Sequence, residues 1–221
     1  MALIVAIDGP AGVGKSSTSK LVAVALNLPH IDTGAMYRAI GLAAVRRGVS
    51  TRDAVRLESL ASQTHIEFVP GEPPRVLLEG EDITHLIRTP EISMAASDVS
   101  AVPAVRRVLV RLQQDLGRRN GGVLEGRDIG TKVFPETPHK FFLTARAEVR
   151  AQRRFAELVA KGVEADFESV LADVQARDAQ DSTRADSPLT FDDSYEVIDT
   201  SDLTIEEVVG RIVAGVRERI S

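Results

Sequence analysis

The chain has 221 residues, 43% of them hydrophobic and 27% charged, and no cysteine. That is enough apolar material for one α/β core with small insertions, while the missing thiols exclude a disulfide framework or a thiolate zinc site and suit a reducing compartment. A net charge of −5 argues against a nucleic-acid polymer as partner, because such binding rests on neutralising many phosphates at once. Apolar runs stay far below the ~18 residues of a membrane span, and no basic-then-apolar leader opens the chain. A monomeric cytoplasmic protein without a membrane partner is expected. Only Lys15, Lys20, Lys132, Lys140 and Lys161 are lysines, so 22 of the 27 basic residues are arginines. Their planar forks suit small phosphorylated ligands held in a local pocket.

Residues 2–7 read as a buried strand, and residues 15–26 as a helix. Between them lies Gly9-x4-Gly14-Lys15-Ser16, the spacing of a phosphate-binding loop. Such a loop turns backbone N–H groups toward an anion at a helix N-terminus. Lys15 would reach the β- and γ-phosphates, and the Ser16 or Ser17 hydroxyl would ligand Mg²⁺. A chance match in a chain of this length has odds of roughly one in a hundred on ordinary residue usage, and the strand-then-helix context lowers them.

Residues 28–32 read as a second strand. In Asp32-Thr33-Gly34-Ala35-Met36-Tyr37-Arg38, Thr33 is placed to cap a helix with an apolar face of Met36, Ile40, Leu42 and Val45. Thr33 and Arg38 then lie within reach of one pocket near its start. His30 has no second ligand at metal spacing and reads as structural. A helix is predicted over 51–63. Residues 65–69 and 75–79 read as strands around the turn cluster Pro70-Gly71-Glu72-Pro73-Pro74. They make a small antiparallel insert over about 64–94, closed by the polar stretch 81–88 and suited to wall a substrate.

Pro103 starts a long amphipathic helix with Val105, Val108, Leu109, Leu112 and Leu116 inward and Arg106, Arg107 and Arg111 on its charged face. Asn120-Gly121-Gly122 stop it. A strand over 122–125 leads into the charged loop Gly126-Arg127-Asp128-Ile129-Gly130, and open α/β sheets place ligands beyond the carboxyl ends of their strands. Residues 140–144 form a fourth strand. A helix over 146–161 is crowded with Arg146, Arg150, Arg153 and Arg154, followed by Gly162 and a helix over 167–178. Arginine-bearing helices about a hinge glycine suit a lid over a triphosphate. Charged groups from Arg177 to Arg184 precede the break at Ser187-Pro188. Residues 195–198 make the fifth strand, and a helix over 205–220 buries Ile205, Val208, Val209, Ile212, Val213 and Val216.

From the residues alone, a kinase for any of several small acceptors and a nucleotide-sensing switch protein both stay open; the absence of Asn-Lys-x-Asp counts against a GTPase. Five stretches narrow this: Ile7-Asp8-Gly9-Pro10-Ala11-Gly12-Val13-Gly14-Lys15, Asp32-Thr33-Gly34-Ala35-Met36-Tyr37-Arg38, Leu78-Glu79-Gly80-Glu81-Asp82-Ile83, Glu125-Gly126-Arg127-Asp128-Ile129-Gly130-Thr131 and Arg177-Asp178-x-x-Asp181-x-x-Arg184. In this order they resemble bacterial cytidylate kinases over essentially the whole chain. The resemblance implies an α/β P-loop kinase fold, a five-stranded parallel sheet flanked by helices, with a nucleoside-monophosphate-binding insert and a short lid. It divides the chain into a core (1–32, 95–145 and 182–221), a monophosphate-binding region (33–94) and a lid with its adjoining helix (146–181).

The activity so implied is Mg²⁺-assisted phosphoryl transfer from ATP to CMP or dCMP. Carried over by motif, Gly9, Pro10, Ala11, Gly12, Val13, Gly14, Lys15, Ser16 and Ser17 would hold the donor. Many relatives have Gly at the position of Ser16 and the hydroxyl one place later, so both serines are candidate Mg²⁺ ligands. Thr33, Arg38 and Arg127 would hold the acceptor phosphate with Arg184 nearby; Ser97, Arg106 and Asp128 would face cytosine, and Arg177 and Asp181 the sugar. Lys15, Arg127, Arg153 and Arg184 are the catalytic set. Cytosine chemistry agrees: its N4 amino group can donate to the Asp128 carboxylate while Arg106 donates to the ring acceptors, whereas uracil presents an acceptor, O4, at that place.

Overall fold

β1 (Ile4–Asp8) is buried at all five positions, as a strand covered on both faces must be. In the computed structural model, which describes residues 2–69, 71, 74–160, 162–183 and 188–220, Cα packing groups the chain into two compact units. One comprises Leu3–His30 and Gly121–Ser221, the other Met1–Ala2 and Ile31–Asn120.

The first unit holds most of the parallel sheet: β1, the start of β2 (His30–Asp32) and three further strands given below. α1 (Lys15–Leu26) follows β1; the end of β2 and α2 (Thr33–Arg46), which follows it, belong to the second unit. The second unit continues with α3 (Ala54–Gln63), β3 (Ile66–Val69), β4 (Arg75–Leu78), β5 (Glu81–Asp82), α4 (Pro90–Ser100) and α5 (Pro103–Asn120). The first unit then resumes with β6 (Gly122–Gly126), β7 (His139–Thr144), α6 (Ala147–Ala160), α7 (Phe167–Ser182), β8 (Glu196–Asp199) and α8 (Ile205–Glu218). The sheet runs β2-β6-β1-β7-β8. β1 pairs in parallel with β6 and β7, with Ile7 opposite Glu125 and Asp8 opposite Gly126 and Phe142. Helix connections between parallel neighbours bring each strand's carboxyl end to one edge. The glycine loop and the residues after β6 therefore share that edge.

Val5, Ile7, Val22, Val123, Phe141, Leu143 and Ile198 fill the core of this unit together with Val208, Ile212 and Val216 of α8. α8 begins in a reciprocal cap: Thr204 Oγ1 accepts the Glu207 N–H at 3.2 Å and the Glu207 carboxylate accepts the Thr204 N–H at 2.8 Å. Ile205, expected inside, is 43% exposed: it shares the helix face of Val208, Ile212 and Val216 but stands at the first position of α8.

The second unit packs α2 on α4 and α3 on α5, with the antiparallel sheet β3-β4-β5 beside them. Met36, Ile40, Leu57, Ile83, Ile87 and Leu109 are its largest fully buried side chains. Gly41 makes the α2 and α4 backbones close: a Cβ there would lie 3.1 Å from the Ala96 nitrogen.

Several boundaries differ from the sequence reading. Thr33 is the first residue of α2 and Asp32 is the cap, its carboxylate accepting the Ala35 N–H at 3.0 Å. Both types can cap; the end of β2 at Asp32 settles which one does. Val45 is 45% exposed and leaves the apolar face expected for it. Helix α3 starts only at Ala54, behind an Asp53 cap. Residues 90–94, read as part of the insert, belong to α4, which Thr89 caps with proline behind it. Helix α5 packs within the second unit, so the compact units are drawn differently from the core and monophosphate-binding segments named from sequence. The loop after β6 tightens into a π-helical turn (Ile129–Val133), and α7 runs to Ser182 rather than ending at residue 178. Pro70, Glu72 and Pro73 of the turn cluster, Lys161, and Arg184 to Ser187 lie outside the described residues. Among the described residues no helix is long and apolar enough to cross a membrane.

Candidate active site

The loop after β1 is fixed by its carbonyls. Lys15 Nζ donates to the Gly9 and Pro10 oxygens at 2.7 and 2.5 Å. Arg127 Nη1 donates to the Gly9 oxygen at 3.0 Å, Arg150 Nη1 to that of Ala11 at 3.2 Å, and Thr200 Oγ1 to that of Val13 at 3.1 Å. In a planar trans peptide the N–H points opposite to its C=O. Carbonyls drawn to the surrounding side chains thus turn the N–H groups of Ala11, Gly12 and Gly14 the other way, as an anion cradle requires. Gly9 has φ 146° and lies so close to β7 that a Cβ would be 2.1 Å from the Leu143 oxygen. Gly14 caps α1 in the left-handed region.

Lys15 is buried, and burial pushes its ammonium well below the ordinary lysine value, with Arg127 adding to the effect and Glu125 and Asp8 opposing it. Ser16 Oγ donates to the Glu125 carboxylate at 2.8 Å. Glu125 is itself buried and is met on its other oxygen by His30 Nε2 at 3.1 Å. Ser17, on the next position of α1, is exposed as Ser16 is. A hydroxyl against a carboxylate is the hard-oxygen donor set that Mg²⁺ prefers. Ser16, with Glu125 behind it, fits that ion better than Ser17. Among the described residues no group of three or more His, Cys, Asp or Glu gathers as a metal cluster.

After β6, Arg127 Nε pairs with Asp181 Oδ2 at 2.9 Å, an ion pair whose acidic side chain is 1% exposed. Asp128 is buried beside it in sequence. Arg177 stands one turn before Asp181 on α7, half-buried. Arg153 is engaged rather than free: its guanidinium donates to the Thr200 hydroxyl at 3.2 Å and the Thr200 carbonyl at 2.7 Å. Arg184 lies outside the described residues.

Thr33, Arg38, Ser97 and Arg106 lie in the second unit. Thr33 is buried, and Arg38 Nη2 pairs with the capping Asp32 at 2.8 Å. Ser97 is half-buried on α4 and its carbonyl accepts from the Ser100 hydroxyl at 2.7 Å. Arg106, placed on a charged outer face by the sequence reading, is 4% exposed with its guanidinium 5.9 Å from the centre of the Tyr37 ring. The aromatic ring gives the cation a partner that helical periodicity does not reveal. Arg107, its neighbour, does stay outside and reaches Glu58 at 3.5 Å.

Four groups, Asp8, Glu125, Arg150 and Asp178, stand in the sequence reading only within longer stretches and carry no individual role there. Asp8, fully buried, accepts from the Ile129 and Gly130 N–H groups, each at 2.9 Å, and from the Tyr195 hydroxyl at 2.8 Å. Glu125 holds Ser16. Arg150 grips Asp178 with both terminal nitrogens, at 2.8 and 2.5 Å, while bonding the loop at Ala11. The available signal was a charged residue closing an otherwise apolar strand, as at Asp8 and Glu125; nothing local marked Arg150 and Asp178 as partners.

Burial raises the Asp8 carboxyl from 3.8 to about 6, the Asp128 charge adding to the rise and the three hydrogen bonds opposing it. A carboxyl raised on folding holds its proton longer in the folded state. Stability from this group is therefore greatest below pH 4 and is lost as pH climbs toward 6, by about 3 kcal/mol. Relative to Asp8→Asn, the wild type is expected to lose that amount between about pH 4 and pH 7 in urea unfolding; parallel curves for the two proteins would contradict the assignment.

A glycine cradle closing on a helix at the carboxyl edge of a parallel sheet, with lysine and arginine around it, defines a P-loop kinase. The sequence pattern of the cytidylate kinase family matches residues 5–218, and the chain belongs to that family. It is 48% identical over 218 residues to the cytidylate kinase of Syntrophotalea carbinolica, covering 98% of this chain and 93% of that one. With the cytidylate kinase of Geobacter sulfurreducens it is 49% identical over 218 residues, covering 98% and 94%. Among solved structures, a gluconokinase from Sinorhizobium meliloti shares the fold with a TM-score of 0.51 at 15% identity, covering 99% of this chain and 93% of that one. An uncharacterized protein from Eubacterium ventriosum does so at 0.58 and 12%, covering 99% and 100%.

Proposed function

We propose that this enzyme transfers the γ-phosphoryl group of ATP to CMP and dCMP, giving ADP with CDP or dCDP, by direct in-line displacement. Family membership already makes ATP-dependent phosphorylation of a nucleoside monophosphate its activity. The observation that carries the finer reading is Arg127 bonded to the first carbonyl of the phosphate loop while the next residue is the buried carboxylate Asp128. On this reading a phosphate-gripping cation and a cytosine acceptor would share one turn at the root of the donor cradle.

An acceptor phosphate is already anionic at neutral pH, so no strong general base is needed; the task is to bring two anions together and stabilise charge on the moving group. Lys15 would exchange the carbonyls of Gly9 and Pro10 for the β- and γ-phosphates. Arg127, Thr33 and Arg38 would hold the acceptor phosphate, with Arg184. Asp128 would accept from cytosine N4 while Arg106 donates to the ring and Ser97 assists; Arg177 and Asp181 would meet the sugar. Mg²⁺, when bound through the Ser16 hydroxyl, would neutralise charge on the donor phosphates. Arg153 would leave Thr200 to act from the lid, residues 146–181, whose closure excludes water. Core 1–32, 95–145 and 182–221 and acceptor region 33–94 complete this division of labour, carried by a cytoplasmic monomer.

ADP release measured with CMP, dCMP, UMP and AMP as acceptors tests the reading: CMP and dCMP should be far the best, and equal turnover of AMP or UMP would overturn it. In the same assay Asp128→Asn is expected to narrow the kcat/KM preference for CMP over UMP by about ten- to a hundredfold, because an amide no longer demands a donor at position 4. An unchanged ratio would remove Asp128 from base recognition.

A further inference from the structure

Among the described residues Asp8 is the least exposed charged side chain, and phosphoryl transfer as derived above makes no use of it. It ends β1 immediately before Gly9. One oxygen accepts the Ile129 N–H, the other the Gly130 N–H and the Tyr195 hydroxyl, all at 2.8 to 2.9 Å. Those two amides follow Arg127 and Asp128 directly, and Arg127 returns to the Gly9 carbonyl. Tyr195 is held close against the same turn: a Cβ on Gly130 would lie 2.5 Å from its oxygen. A buried carboxylate survives when donors replace its water, and here every donor comes from the acceptor turn or from the residue packed on it. A neutral amide cannot substitute, since its NH₂ would face a backbone N–H.

We propose that the Asp8 carboxylate is a positioning residue for phosphoryl transfer, its two oxygens setting the turn that carries Arg127 and Asp128 against the first residue of the phosphate loop. The inference rests on the acceptor roles given to those two residues. Protonation takes one acceptor away from the paired amides, so the ionised form is the working form. The charged and titratable groups around it are Asp128, which disfavours that form, and Lys15, which favours it. Beside them stands Tyr195, whose phenol burial and then the Asp8 charge hold protonated, with Lys140 5.8 Å from its ring centre.

The test is kcat/KM for CMP at saturating ATP across about pH 5 to 9 for the wild type, Tyr195→Phe and Asp8→Asn. Removing the Tyr195 hydroxyl deletes a bond that favours the carboxylate, so the acid limb should move to higher pH while activity above about pH 8 stays within about twofold. Substrate phosphates titrate in the same range, but they are common to all three proteins, so a displacement between profiles belongs to the enzyme. Asp8→Asn should lower kcat/KM for CMP by about tenfold or more through misplaced groups, with little change in KM for ATP. Superimposable acid limbs for the wild type and Tyr195→Phe overturn the proposal, and this arm does not depend on Asp8→Asn folding. Asp128→Asn run in parallel separates the two ideas. A displaced Tyr195→Phe limb with an unchanged CMP-to-UMP ratio in Asp128→Asn supports the positioning role and refutes base reading by Asp128. Coincident limbs with a narrowed ratio overturn the positioning role alone.

Discussion

Lys15→Ala is expected to abolish turnover, by about a thousandfold or more, in a protein that still folds. Lys15 is the cation built into the phosphate cradle, bonded in this structure to the carbonyls of Gly9 and Pro10. A single well-placed donor to developing charge is worth about 10² to 10³ in rate, and a full positive charge on a transferring phosphoryl group is worth at least as much. The fold tolerates the change for the reason that depresses the ammonium: burial and Arg127 oppose the charge, so its removal relieves an unfavourable interaction while two hydrogen bonds are lost. ADP release and thermal unfolding measured on one preparation decide it. Undiminished turnover, or loss of activity only through unfolding, would refute the role.

Gly9→Ala should be the most damaging substitution in the loop. A methyl group there would sit 2.1 Å from the Leu143 carbonyl oxygen and 3.1 Å from its carbon, at a φ of 146° that side chains rarely adopt. The obstacle is the backbone of β7, paired with β1 one residue earlier at Asp8 and Phe142, so no rotamer change relieves it. Separating the strands costs about 1 to 3 kcal/mol in overpacking and the backbone conformation about as much again. Together these take a large share of the 5 to 15 kcal/mol that holds a typical domain. Gly14→Ala is the control: its φ of 88° is strained as well, but nothing lies within 4 Å of the added carbon. Urea unfolding should place Gly9→Ala well below Gly14→Ala; equal stabilities would mean that the approach of β7 is not the constraint.

Some of this molecule is legible in its sequence. The inner strands β1 and β7 were readable because a strand buried on both faces must be apolar, as Ile4 to Ile7 and Phe141 to Leu143 are; the edge strands β2 and β8 are partly exposed and carry charged residues, so that rule does not reach them. Likewise the cradle is a run of consecutive residues with glycines where backbone room is needed. Caps were harder. Asp32 and Thr33 both suit the role, and only the end of β2 selects Asp32.

Sequence by itself determined what depends on neighbours along the chain: the phosphate loop, the helix and strand periods, the turn after β6 with its Arg127 and Asp128, and the family. Tertiary structure alone decided which charges are buried and what they hold. Arg150 meets Asp178 across 28 positions, Ser16 meets Glu125 across 109, and Asp8 meets Tyr195 across 187. A carboxylate is stable inside a protein only where donors from elsewhere replace its water, and no local pattern announces which distant segment will bring them.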